Sequence, residues 1–289
     1  MIPRYLDPKS DLVFKKIFGH HPDLLKSFLN ALLPLPDDCI IESLTYLSTE
    51  NVPEIAGLKH SIVDVRCQDN HGRHFIVEMQ LQWSKYFTQR MLFNTAATYV
   101  RQLEKGEDYH HLSPVYGLAL IDATFSKDET WFHHYQMSDA NNKKLDDIQL
   151  VLIELPKFKP TSIAEKRLAV LWLRFFREIN ERTETVDQSL LQEEPIKKAL
   201  KLVETSAYTA SELRAYDKNW DAISSEKTLI RDHYEEGLSN GIIKGKAEGI
   251  SEGIIKMVLN MHHAGLPLNE IAKISEMSLK DVEKIICPS

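Results

Sequence analysis

The chain predicts a mixed α/β layer followed by an all-helical region. Short β-branched runs and helical periodicities interleave up to about Pro160, and from Ser162 onward only helical spacing is left. Gly237, Gly241, Gly245, Gly249 and Gly253 then recur every four residues without a miss. The composition suits a sizeable core, at 289 residues, 43% hydrophobic and 27% charged.

The first helix is signalled by Leu6-Asp7-Pro8-Lys9-Ser10-Asp11, where Asp7 or Ser10 serves as cap and Pro8 suits a first turn. Val13, Phe14, Ile17 and Phe18 follow at helical spacing, and Asp11 and Lys15 stand four apart on one face, a spacing common in solvated helix pairs. A second helix fits residues 23–33, with Leu24, Leu25, Phe28, Leu29 and Leu32 as its apolar face, and Pro34 and Pro36 end it. Residues 41–48 alternate weakly, as a first strand would.

Residues 61–81, S-I-V-D-V-R-C-Q-D-N-H-G-R-H-F-I-V-E-M-Q-L, read as two strands around the turn-forming cluster Asp69-Asn70-His71-Gly72. Ile62, Val63 and Val65 form one β-branched run and Phe75, Ile76 and Val77 the other. Each is broken by an acid, Asp64 and Glu78. Carboxylates are disfavoured in strands, and a buried unpaired charge is costly, so both acids need partners. A divalent cation is one candidate. Pairing with Arg66 or Arg73, or plain solvation at an edge, is the other. Side chains two apart on a strand share a face, so Glu78 and Gln80 project together while Met79 points away.

Residues 84–105 read as a long helix ended by Gly106, with Phe87, Met91, Ala96, Tyr99, Val100 and Leu103 near one face and Gln89, Arg90 and Arg101 as polar positions. Residues 115–121 and 150–155 are apolar runs suited to central strands. Helices follow at residues 164–179, 195–203 and 211 to about 232, dotted with Tyr208, Tyr216, Trp220 and Tyr234 as packing aromatics. Each glycine of the four-residue repeat costs a helix about 1 kcal/mol against alanine, so five in register have a reason. Two readings stand: a helix that self-associates through the stripe, and a partly helical linker. Residues 265–289 have helix-turn-helix-like spacing, with Ser278 capping a last helix that carries Val282 and Ile285. Lys280 and Lys284 alternate there with Asp281 and Glu283, a poor face for DNA, so a packing or oligomerisation module fits as well.

Several classes are excluded. No apolar run approaches the ~18 residues of a bilayer span, and residues 1–7 have no signal-peptide core. Cys39, Cys67 and Cys287 are odd in number and far apart, which suggests neither a disulfide framework nor a zinc ribbon and fits a reducing cytoplasm. The net charge of -7 argues against a surface coated in basic residues but not against a local basic groove. The histidine pairs His20-His21, His110-His111, His133-His134 and His262-His263 diverge in any regular element. No Walker A, dinucleotide-glycine or G-x-S-x-G motif is present.

Asp11-Leu12-Val13-Phe14-Lys15-Lys16-Ile17-Phe18-Gly19 after Leu6-Asp7-Pro8 resembles the N-terminal signature of the Rpn family, the recombination-promoting nucleases and transposases of the PD-(D/E)XK superfamily. The likeness continues through Asp64-Val65, Val77-Glu78-Met79-Gln80, Gln89-Arg90, Tyr99, residues 103–109 and 114–119, and resumes in the glycine repeat and residues 265–285. The order and spacing of these motifs carry it. The resemblance implies a restriction-endonuclease-like mixed sheet flanked by helices, followed by an all-helical C-terminal region. It implies a nuclease core over residues 1–160, a helical extension over 161–235, a glycine-repeat helix for oligomerisation or linkage over 236–264, and a helix-turn-helix-like tail over 265–289. The implied activity is a Mg2+-dependent DNA endonuclease that promotes recombination, with Mn2+ or Ca2+ able to substitute in vitro. The metal ligands would be Asp64, Glu78 and the carbonyl of Met79. Gln80 falls on the superfamily's usual lysine, and Asp11 on the acid of the first helix, completing the catalytic set. Lys15, Arg90 and Tyr99 would contact DNA phosphates. The implied partners are DNA and further copies of this chain through the C-terminal helices, with no membrane. A catalytically silent DNA-binding or oligomerisation scaffold, and transposase-like strand transfer, are the alternatives.

Overall fold

A computed structural model describes residues 3–36, 38–51, 61–160 and 167–287. It divides into two compact units, Met1–Asn219 and Trp220–Ser289.

In the first unit, α1 (Asp11–Phe18) starts where Ser10 Oγ accepts a hydrogen bond from Val13 N–H at 3.3 Å. Asp7, the other candidate cap, instead accepts from Lys9 N–H. α2 (Pro22–Leu32) follows, with Pro22 in its first turn. Phe14 and Phe18 of α1 and Phe28 of α2 meet Trp172 and Phe176 of α4 (Arg167–Glu178), ring centroids 4.6–6.0 Å apart. The first positions of the helix expected over residues 164–179 lie outside the described residues. α5 (Glu194–Leu202) contributes Ile196, Ala199 and Leu200 to the buried interior, and Val203 C=O accepts from Leu6 N–H.

The sheet has six strands in the order β1-β4-β5-β6-β8-β7. These are β1 (Leu44–Tyr46), β4 (Val65–Asp69), β5 (His74–Gln80), β6 (Val115–Ile121), β7 (Phe132–Ser138) and β8 (Lys144–Glu154). β5, β6 and β8 run parallel at the centre, and the other neighbours pair antiparallel. Every residue of β6 is buried, as its apolar run requires. β2 (Glu50–Asn51) and β3 (Ser61–Ile62) form a separate antiparallel pair.

The turn between β4 and β5 is closed by a buried ion pair. Asp69 accepts from the backbone of His71 and Arg73 at 2.9 Å and from Arg73 Nε at 2.7 Å, while Gly72 takes φ +81, which a side chain would resist. Arg73 is thereby committed to Asp69 rather than to either site acid.

The long helix expected over residues 84–105 is shorter. α3 is Phe87–Val100 and ends six residues before Gly106. Its buried face is also not the one expected: Phe87 and Met91 are buried, but so are Asn94, Thr95 and Thr98, whereas Val100 is exposed. Phe87 and Met91 pack on Ala119, Ile121, Leu150 and Leu152 of the sheet. The approach is close enough to require glycine at position 117, where a Cβ would lie 2.8 Å from Thr95 Oγ1 and from a methyl of Leu150.

Beyond α5, one helix replaces the separate segments read from the sequence. α6 (Ala210–His263) is continuous through the whole glycine repeat. In the second unit, Val258 of α6 packs with Ile271 of α7 (Leu268–Ile274) and Val282 of α8 (Leu279–Ile286). Ser278 caps α8 by accepting from Asp281 N–H, as its sequence position suggested.

Candidate active site

The acids of the hairpin meet at its open end. The β4–β5 ladder ends with Val65 opposite Val77, so one further step sets Asp64 opposite Glu78. Asp64 lies just before β4, in a bend, and not inside the strand as its place in a β-branched run suggested. Released from the ladder, its Oδ2 accepts from Met79 N–H at 2.8 Å. A residue's N–H and C=O point to the same strand edge, so the Met79 carbonyl also faces the Asp64 side.

Glu78 is 5% exposed. Its Oε1 accepts from Asn94 Nδ2 at 3.2 Å and its Oε2 from Arg90 Nη2 at 3.3 Å. The same Arg90 nitrogen donates to Gln80 Oε1 at 2.7 Å, which places Glu78 and Gln80 on one face, as their two-residue spacing requires. Gln80 Nε2 donates to the Gln82 carbonyl. On the opposite flank, Lys15 of α1 binds Asp11 Oδ1 at 2.7 Å and approaches Asp64 Oδ1 to 3.8 Å. Asp11, Lys15, Asp64, Glu78, Gln80 and Arg90 thus come together from α1, the hairpin and α3. Tyr99 does not join them. It donates to Asp147 of β8 at 2.9 Å, and its nine-residue separation from Arg90 on α3 is roughly 13 Å of helix.

Burial dominates the electrostatics. It pushes the Asp64 carboxyl up to about 6 despite the Met79 N–H, with the negative charges of Glu78 and Asp11 adding to the rise and Lys15 opposing it. Burial also raises Glu78, against the pull of Arg90 and Asn94. Two largely desolvated carboxylates, each turning one oxygen toward a cationic side chain, form a hard oxygen donor set.

No three His, Cys, Asp or Glu side chains among the described residues are grouped to hold a metal ion. Two carboxylates and a backbone carbonyl nonetheless fit Mg2+, which keeps several waters and uses one or two protein carboxylates.

Two neighbours escaped the sequence reading. Asn94 lies on the buried face of α3, and its signal was its spacing of seven from Phe87 and four from Arg90. Lys9 reaches Asp122 Oδ2 at 2.8 Å, and Asp122 N–H donates to the Gln80 carbonyl, tying the start of α1 to the end of β5. Only the fold joins residues so distant in the chain.

A mixed sheet flanked by helices, with two acids converging beside a strand end, is the frame on which a nuclease-type core can be built. A family model for PD-(D/E)XK nuclease family transposases matches residues 8–233, and the chain belongs to that family. The resemblance to the Rpn family fits this match. Comparison with curated proteins and with solved structures found no match. Among the described residues, no helix is long and apolar enough to cross a membrane.

Proposed function

We propose that the protein is a metal-dependent DNA endonuclease of the recombination-promoting kind, which hydrolyses phosphodiester bonds at the open end of the β4–β5 hairpin. The observation that carries this reading is the convergence of Asp64 and Glu78, each with one oxygen held inside the protein and the other facing positive charge. Asp64, Glu78 and the Met79 carbonyl would hold the ion, preferably Mg2+. When bound, the ion acidifies a coordinated water and offsets charge on the phosphate.

The chain's own residues do the rest. Lys15 and Arg90, with side chains 42% and 45% exposed, are the cations at the mouth of the site and reach phosphate oxygens. They supply the positive charge that Gln80 cannot. Gln80 orients a water or a phosphate oxygen through its amide. Asp11 keeps Lys15 over Asp64 and receives hydrogen bonds from water at the rim. DNA is the partner this chemistry recognises. Leu229, Tyr234, Leu238, Ile242 and Ile250 are exposed along α6, which supports self-association through the helix that carries the glycine stripe. The odd, unpaired cysteines support a reducing, cytoplasmic setting.

The test is Mg2+-dependent nicking of supercoiled plasmid by the pure protein beside Asp64→Asn and Glu78→Gln. Activity in the wild type that is lost in both variants supports the assignment. Activity that persists in both sinks it. DNA binding without cleavage by any of the three moves the function to a silent scaffold.

A further inference from the structure

Asn94 is fully buried on the face of α3 that packs against the sheet, two helical turns beyond the apolar Phe87 and one beyond Met91, beside the buried Thr95 and Thr98. Its Nδ2 donates to Glu78 Oε1 at 3.2 Å. Its Oδ1 is buried and has no hydrogen-bond partner among the described residues. The opposite amide orientation would set two oxygens against each other, so the donor must face Glu78. A leucine at this position would satisfy the helix and the core without an orphaned carbonyl. A local departure of this kind, against the side chain of a site acid, is expected where function requires it.

We propose that Asn94 is a positioning residue for Glu78. By holding the inner oxygen, Oε1, it fixes the carboxylate plane and turns Oε2 outward, toward the place now contacted by Arg90. An ion at the site then meets a preset oxygen instead of a carboxylate free to rotate. Partners behind a metal ligand act this way, and their loss typically costs roughly 10–100-fold in metal affinity. The inference rests on the reading that Glu78 holds the ion.

The test is Mn2+ binding to the full chain by titration calorimetry, with the melting temperature of the metal-free protein as a second readout, for wild type, Asn94→Leu, Glu78→Gln and the double variant. Asn94→Leu is expected to weaken Mn2+ binding roughly 10–100-fold and to add nothing in the Glu78→Gln background, while the metal-free melting temperature shows that each variant is folded. If the leucine is too bulky to fold, Asn94→Ala reads the same loss of the donor. Mn2+ affinity within about twofold of wild type in Asn94→Leu or Asn94→Ala, with Glu78→Gln clearly weakened, overturns the role of Asn94 alone. Mn2+ affinity unaffected by Glu78→Gln overturns the underlying reading of Glu78.

Discussion

Asp64 is held ionised at a cost to the fold, and replacing it with asparagine should make the protein more stable while removing its activity. Its carboxyl titrates at about 6 in the folded chain, against 3.8 when exposed, chiefly because burial disfavours the charged form. Between those two values the folded state holds the extra proton. Stability attributable to this group is therefore intact below the unfolded value and falls as pH rises through the folded one. The penalty is about 1 kcal/mol near pH 4.5 and about 3 kcal/mol above pH 7. Asparagine keeps an oxygen for the Met79 N–H and removes the charge. The attraction to Lys15, 3.8 Å away, is already counted in that penalty, because it opposes the rise. The expected gain is about 3 kcal/mol near pH 8, or roughly 6–12 °C in melting temperature, shrinking to about 1 kcal/mol near pH 4.5. Thermal unfolding of the metal-free wild type and Asp64→Asn across this range measures it. A variant that is less stable at the higher pH, or a difference that does not change with pH, would refute the account of Asp64 as a desolvated acid.

Other perturbations separate the roles of the remaining side chains. Arg90→Ala should tighten Mn2+ binding several-fold, because it removes a cation that competes for Glu78 Oε2, and yet weaken DNA binding and cleavage; calorimetry and a DNA-binding titration in Ca2+ read the two opposite signs. Asp69→Ala leaves the Arg73 guanidinium buried beside no acid and should cost roughly 3–5 kcal/mol, visible as a large drop in melting temperature that metal does not rescue. In α6, Gly241 and Gly245 have nothing within 4 Å of where a Cβ would stand, so the pair of Gly→Ala changes should stabilise an isolated chain by about 2 kcal/mol. If copies pack through the stripe, the same changes should instead loosen association in sedimentation experiments.

The parts of the fold set by local chemistry were legible in the sequence. Ser10 and Ser278 cap the helices their positions suggested, β6 is the buried central strand its apolar run required, and Glu78 and Gln80 share a face through Arg90. Strand β7 was not legible, because His133, Gln136 and Ser138 make an edge strand without an apolar alternation. Its histidines instead find Glu154 and Gln149 on β8. The extent of α3 was misread for a related reason: Tyr99 and Val100 look like core residues, but the buried face carries Asn94, Thr95 and Thr98. Asn94 is turned inward by the position of Glu78, which a helical pattern alone does not contain. The placement of Lys15 beside Asp64, across 49 positions of sequence, is likewise a product of how α1 meets the hairpin. The four-residue glycine repeat was plain in the sequence, but only the structure settles that the residues are helical throughout.

The central claim is that Asp64, Glu78 and the Met79 carbonyl jointly hold a divalent cation. Anomalous diffraction from a crystal of the protein grown with Mn2+ tests it most directly. The account predicts a single strong anomalous peak between the two carboxylates, with Arg90 displaced from Glu78 Oε2. A Mn2+ peak bound elsewhere, with Lys15 and Arg90 still seated on the two acids, would contradict it.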